Sequence, residues 1–229
     1  MLPDTIAALI FDLDDTLYPE VQYVRSGFQV IAARLADTQH NQDSIYQMLW
    51  QTFQTGPRDL VFNTVLQQLD RADEPQVIDE LVGVYRCHRP RLQLESEVHT
   101  LLAKLKHNYK LGLITDGFLP TQQLKVEALS LEHFFDHIIY TEQLGRQFWK
   151  PSPKAFELMA QDLALTSAQC AYIADNPAKD FIAPNQLGWF TIQLLRPDRV
   201  HPDSIPPANG QPRIKINNLS ELLISSHTD

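Results

Sequence analysis

The chain has 229 residues, 44% apolar and 21% charged, with 28 acidic against 19 basic side chains and a formal charge of −9. That balance argues against a nucleic-acid phosphate backbone as partner, and no apolar run approaches the roughly 18 residues of a membrane span. No basic segment precedes an apolar stretch at the N-terminus, the eight histidines are scattered, and Cys87 and Cys170 match no metal or redox spacing. The expectation is a cytoplasmic protein with reduced thiols and no zinc site, built as one large domain or a core with a modest insert.

Ile6 to Phe11 is an apolar run of strand length that ends in Asp12, Asp14 and Asp15. Steps of three and four then place Val21, Val24, Phe28, Ile31 and Leu35 on one helix face. A second helix is predicted from a cap at Asp43 or Ser44 to Gly56-Pro57, a third through Leu60 to Leu69, and a fourth from Pro75 to Tyr85. No strand signal interrupts the stretch from Pro19 to Pro90. From Ser96 the pattern alternates. A helix around Leu101 to Leu105 precedes a strand at Leu111 to Ile114, and a helix through Leu124 and Leu129 precedes one at His137 to Tyr140. A helix from Pro153 to Leu163 leads to the strand Ala171 to Ala174, and a helix with Phe181 and Leu187 to the strand Trp189 to Leu195. Arg196 to Arg213, with five prolines, reads as a loop; Ile214 to Ile216 and Leu219 to Ile224 read as an edge strand and a closing helix.

Strands alternating with helices of this length imply an α/β fold, a Rossmann-like parallel sheet with helices on both faces. The all-α block is an insert, so the expected division is a discontinuous core of 1–17 and 95–229 and a helical domain of 18–94. In such a sheet, ligands gather outside the carboxyl ends of the strands. Three strands end there in polar clusters, Asp12/Asp14, Thr115/Asp116/Gly117 and Asp175/Asn176, and Lys150 stands on a loop before Pro151. Each cluster alone is also what a turn or a helix cap requires; their conjunction is what points to a site. Asp12 and Asp14, two apart on an extended backbone, face the same way, and their repulsion in a pocket raises the pKa of one of them. That pair suits one ionised carboxylate as nucleophile beside one protonated carboxyl as acid.

With those residues the chain resembles the haloacid dehalogenase superfamily, in the branch whose helical cap is inserted after the first strand (the C1-type cap). The resemblance rests on Asp12-Leu13-Asp14-Asp15-Thr16 as the Asp-x-Asp-x-Thr motif, on Thr115, on Lys150-Pro151, and on Asp175 with Asp180. Two positions depart from the common pattern, Asp116 where Asn is frequent and Ala174 where Gly is frequent, and the loop Gly145 to Trp149 is long. The resemblance implies a Mg²⁺-dependent phosphatase acting on a small phosphorylated metabolite; whether it works as monomer or homodimer is left open by the sequence. Asp12 would be the nucleophile, Asp14 the general acid and base, and Thr115, Asp116, Gly117 and Lys150 the phosphate-binding set. Asp12, the carbonyl of Asp14 and Asp175 would hold the metal, and Asp180 would orient Lys150 or a metal-bound water. Asp15 is left to a turn. Phosphomutase-type transfer on the same site is the alternative, and a non-catalytic binding protein of this fold a weaker one.

Overall fold

The computed structural model describes residues 2–197, 199–200 and 206–223. They divide into two compact units, one of 1–21, 93–118 and 129–229, the other of 22–92 and 119–128.

The first unit is built on six strands: β1 (Ala8–Phe11), β2 (Lys110–Thr115), β3 (His137–Tyr140), β4 (Cys170–Ala174), β5 (Phe190–Leu194) and β6 (Ile214–Ile216). Their order is β3-β2-β1-β4-β5-β6, and every neighbouring pair is parallel. The chain therefore leaves β1 on one side, returns on the other, and makes β1 the place where the winding reverses. Phe11 is in register with Leu113 on one side and Ile173 on the other, so β1, β2 and β4 finish within two residues of one another. Ala8, Ile10, Ile114, Tyr172 and Ala174 share a core with Phe156, Met159 and Trp189. That face takes α7 (Lys154–Asp162), while α5 (Ser96–Leu105) buries Val98, Leu101, Leu102 and Leu105.

Some boundaries differ from expectation for local reasons. β1 starts at Ala8 because the Ile6 amide turns back to the Pro3 carbonyl at 3.0 Å. The closing helix is a single 3-10 turn, Leu219–Leu222, opened by a reciprocal Asn218/Glu221 capping box; Ile224 lies outside the described residues.

The second unit holds α1 (Val21–Leu35, from its second residue on), α2 (Gln42–Thr55), α3 (Val61–Gln68), α4 (Pro75–Cys87) and α6 (Thr121–Ala128). α2 begins earlier than expected because Asn41, not Asp43, is the cap, accepting from the Ser44 amide at 2.9 Å. Phe28, Ile31, Ile45, Leu49, Val65 and Leu81 lie in one apolar core. The helix α6 groups with this unit although it follows β2. Thr121 Oγ1 donates to the Arg86 carbonyl at 2.9 Å, and the buried Lys125 ammonium lies 4.4 Å from the centre of the Tyr23 ring. The Tyr85 carbonyl, orphaned at the end of α4, accepts from Tyr23 Oη at 2.9 Å and from His88 Nδ1 at 2.6 Å. Gly27 lets the Tyr85 ring lie against α1, since a Cβ there would overlap the ring. Gly27→Ala should gain about 1 kcal/mol of helix propensity and lose about 1–3 kcal/mol to overpacking. A lower Tm in a thermal melt is the expected outcome, and an unchanged or higher one would mean that the ring moves freely.

Candidate active site

The carboxyl ends of β1, β2 and β4 bring Asp12, Thr115 and Asp175 to one edge of the sheet, all three buried. Asp12 is anchored through its amide, which donates to the Ile173 carbonyl at 2.9 Å. Asp12, Asp14, Asp15, Glu20, Asp116, Gly117, Phe118, Trp149, Asp175, Asn176 and Lys179 line a cleft of about 390 Å³. Gly117 bends the chain away from β2 at φ +139°, a backbone that side-chain-bearing residues rarely adopt.

Lys150 is the centre of the buried charge. Its ammonium donates to Asp12 Oδ1 at 2.6 Å and to Tyr172 Oη at 3.0 Å, and lies 2.9 Å from Asp180 Oδ1. The Asp180 contact is ion-paired but off the hydrogen-bonding direction, so that oxygen has no hydrogen-bond partner. The other oxygen of Asp180 accepts from the Asn176 amide at 3.0 Å, which ties the turn after β4 to the lysine. Tyr172 is in register with Ile10 and is held by the Phe156 ring, edge-on at 4.9 Å.

Asp14 Oδ1 accepts from Tyr18 Oη at 2.6 Å. Burial, then the charges of Asp14 and Glu20, push the Tyr18 phenol well above its ordinary range, so it stays a donor. Asp15, at φ +52°, accepts from the Glu20 amide at 2.8 Å and the Val200 amide at 2.7 Å. Its carboxylate thus pins two loops. Asp116 Oδ1 lies 2.8 Å from Thr141 Oγ1 and 3.3 Å from the Lys150 amide, and Asp116 Oδ2 lies 3.3 Å from Lys179 Nζ.

Burial pushes the Asp12 carboxyl up to about 6, with Lys150 opposing and Asp180 adding to the rise. Burial, then Asp180, Asp12 and Asp15, push Asp175 up to about 9. Burial works against the Lys150 charge, yet Asp12 and Asp180 outweigh it and hold its pKa well above the usual lysine value. The cluster therefore carries more negative charge than its one buried lysine neutralises. Asp12, Asp175 and Asp180 each offer a carboxylate oxygen, and these atoms lie within 4.8 Å of one another. This all-oxygen cluster fits a hard divalent cation, with Asp180 at its border turned through Oδ1 to Lys150.

The structure places Asp12, Lys150 and Asp180 in direct contact, with Asp14, Asp116, Gly117 and Asp175 in the same cleft and Thr115 at the end of β2. Tyr18, Thr141, Tyr172 and Lys179 were not anticipated. A polar aromatic inside the apolar run Cys170 to Ala174, and a lysine within the Asp175 to Asp180 turn, were the available signals.

A parallel sheet with a lysine-paired carboxylate and a second, separately held carboxyl at its carboxyl edge defines an α/β enzyme of the hydrolase type. The chain belongs to the haloacid dehalogenase-like hydrolases, whose profile matches residues 6–188. It is 27% identical over 201 residues to the glyceraldehyde 3-phosphate phosphatase of Methanopyrus kandleri, covering 83% of this chain and 84% of that one. The fold is similar to the HAD hydrolase YfnB of Bacillus subtilis, a structure bound to magnesium, with a TM-score of 0.69, 21% identity, and 97% and 99% of the two chains covered. It is also similar to the 2-haloacid dehalogenase of Pseudomonas syringae, with a TM-score of 0.62, 22% identity, and 96% and 97% covered.

Proposed function

We propose that the protein is a phosphatase that hydrolyses a small phosphate monoester through an aspartyl-phosphate on Asp12. The observation that carries this reading is Asp14. A carboxyl two positions from the nucleophile, lining the cleft and accepting from Tyr18 Oη at 2.6 Å, can carry a proton to the leaving group. An alkoxide leaving group needs that proton, whereas a departing halide does not.

Lys150 holds Asp12 Oδ1, which leaves Oδ2 to attack phosphorus in line. As the P–O bond to the leaving group breaks, Asp14 gives its proton to that oxygen. Asp14 then takes a proton from water, which attacks phosphorus and returns the Asp12 carboxylate. Thr115 with the Asp116-Gly117 backbone binds the phosphoryl oxygens, and Asp180 positions Lys150. Like charges about 4 Å apart cost roughly 4 kcal/mol each at an effective dielectric near 20. Magnesium held by Asp12, the Asp14 carbonyl and Asp175 would supply the positive charge that lets a carboxylate approach a phosphate dianion.

Phosphate release from three-carbon sugar phosphates, nucleotides, phosphoserine and p-nitrophenyl phosphate, with magnesium and with EDTA, tests the reading. The three-carbon esters head the panel because of the Methanopyrus relative's name. Metal-dependent release supports it; no release from any ester by folded protein, or release indifferent to EDTA, overturns it. Tyr18→Phe should lower kcat about tenfold for alkyl phosphates and much less for p-nitrophenyl phosphate, whose leaving group needs no proton. Equal losses on both would mean that Tyr18 does not serve proton transfer.

A further inference from the structure

We propose that Lys179 is a second phosphoryl-binding cation of this site, kept at the cleft by Asp116 until an anion takes Asp116's place. This rests on the phosphatase reading and adds to it a residue and a charge-exchange step.

The two lysines of the site differ in kind. Lys150 has no exposed side-chain surface and its contacts are with Asp12, Asp180 and Tyr172. Lys179 lines the cleft with a side chain 39% exposed, and its ammonium lies 3.3 Å from Asp116 Oδ2. That separation is longer than the roughly 2.7–2.9 Å of a tight charge-assisted hydrogen bond. Asp116 is the fixed partner of the pair. Only 6% of its side chain is exposed, and Oδ1 sits 2.8 Å from Thr141 Oγ1 and 3.3 Å from the Lys150 amide. The turn that carries Lys179 is fixed as well, because Asn176 Oδ1 accepts from the Ala178 amide at 3.0 Å and Asp180 accepts from the Asn176 amide at 3.0 Å.

A carboxylate beside the phosphoryl-binding loop would repel substrate on its own. Lys179 neutralises it while the cleft is empty. A phosphate dianion carries more charge than Asp116, so the ammonium gains by turning to it. Lys179 can do so without breaking a hydrogen bond of the Lys150 ammonium, which is held by Asp12 and Tyr172. The charge of Lys179 is also felt at Asp12, which places the two groups in one electrostatic field.

Binding of inorganic phosphate, followed by calorimetry beside steady-state turnover, tests the exchange. Lys179→Met should weaken phosphate binding and raise KM for p-nitrophenyl phosphate about tenfold, with a smaller change in kcat. Lys179→Arg should recover most of the loss. Asp116→Asn, which frees the ammonium, should tighten phosphate binding several-fold. Adding K179M to the D116N background should weaken it again by about tenfold. Unchanged phosphate affinity in K179M overturns the proposal, as does a double variant that binds phosphate as tightly as Asp116→Asn alone, since Lys179 would then be only the counter-ion of Asp116. Phosphate binding that weakens in K179M, in a protein that hydrolyses no ester, would support the Lys179 site while defeating the phosphatase reading. Near-native melting temperatures for the half-exposed Lys179 variants exclude misfolding as the cause.

Discussion

Asp12→Asn should reduce phosphate release by at least about 10⁴-fold, to the level left by binding and electrostatic stabilisation alone. The side chains are nearly isosteric, and the asparagine carbonyl can still accept from Lys150, which keeps its contacts with Asp180 and Tyr172. What disappears is the negative oxygen able to bond to phosphorus. Stability should change far less than activity. Removing one member of a buried ion pair usually costs several kcal/mol, but burial already pushes the Asp12 carboxyl up to about 6. A neutral group at this position therefore relieves a desolvation penalty while it loses the pairing with Lys150. The expected result is a cooperative melt within a few degrees of the wild type and no measurable turnover. A variant that folds normally and retains a tenth of the wild-type kcat would remove Asp12 from the chemistry.

The parts of the site carried by backbone position were readable from the chain. Asp12, Thr115 and Asp175 each end an apolar run, and a parallel sheet brings the ends of β1, β2 and β4 together whatever their distance in sequence. Parts that depend on where a long side chain turns were not readable. Tyr18 reaches Asp14 over one turn of irregular backbone, and Tyr172 reaches Lys150 only because Phe156 and α7 set its ring. Lys179 appears in sequence as one more charge on a turn, and its meaning depends on Asp116, 63 positions away. The same limit governed the helices. Periodicity located α1 to α4, but the grouping of α6 with them follows from a hydroxyl on Thr121 meeting a carbonyl at the end of α4. No pattern within either segment announces that bond.

Magnesium should stabilise the protein by an amount that grows with pH. Asp12 and Asp175 have folded-state pKa values above their ordinary 3.8, at about 6 and about 9. Below 3.8 both states are protonated and these groups contribute nothing. As pH rises, the unfolded chain ionises first while the folded one keeps its protons, so stability falls through both folded values. His88 has the opposite sign. Burial lowers its pKa below 6.5, so its neutral form favours folding and its contribution is lost in acid, below the unfolded value. Lys150 keeps its charge throughout and matters only above 10.5. Between about pH 7 and about pH 9 the metal-free slope therefore belongs mainly to Asp175, and is on the order of 2 kcal/mol in total. A bound cation removes the reason for that slope by pairing the ionised carboxylates, and adds about 2.7 kcal/mol at a hundred times its Kd. Thermal melts in EDTA should show Tm falling across this range, and melts in millimolar magnesium should show it flat and several degrees higher at the alkaline end. Asp175→Asn should flatten the EDTA curve and abolish the magnesium shift together, since one carboxylate causes both. A magnesium shift that survives in D175N would place the ion elsewhere. A flat EDTA curve in the wild type would mean that the three buried carboxylates are better paired than Lys150 alone can make them.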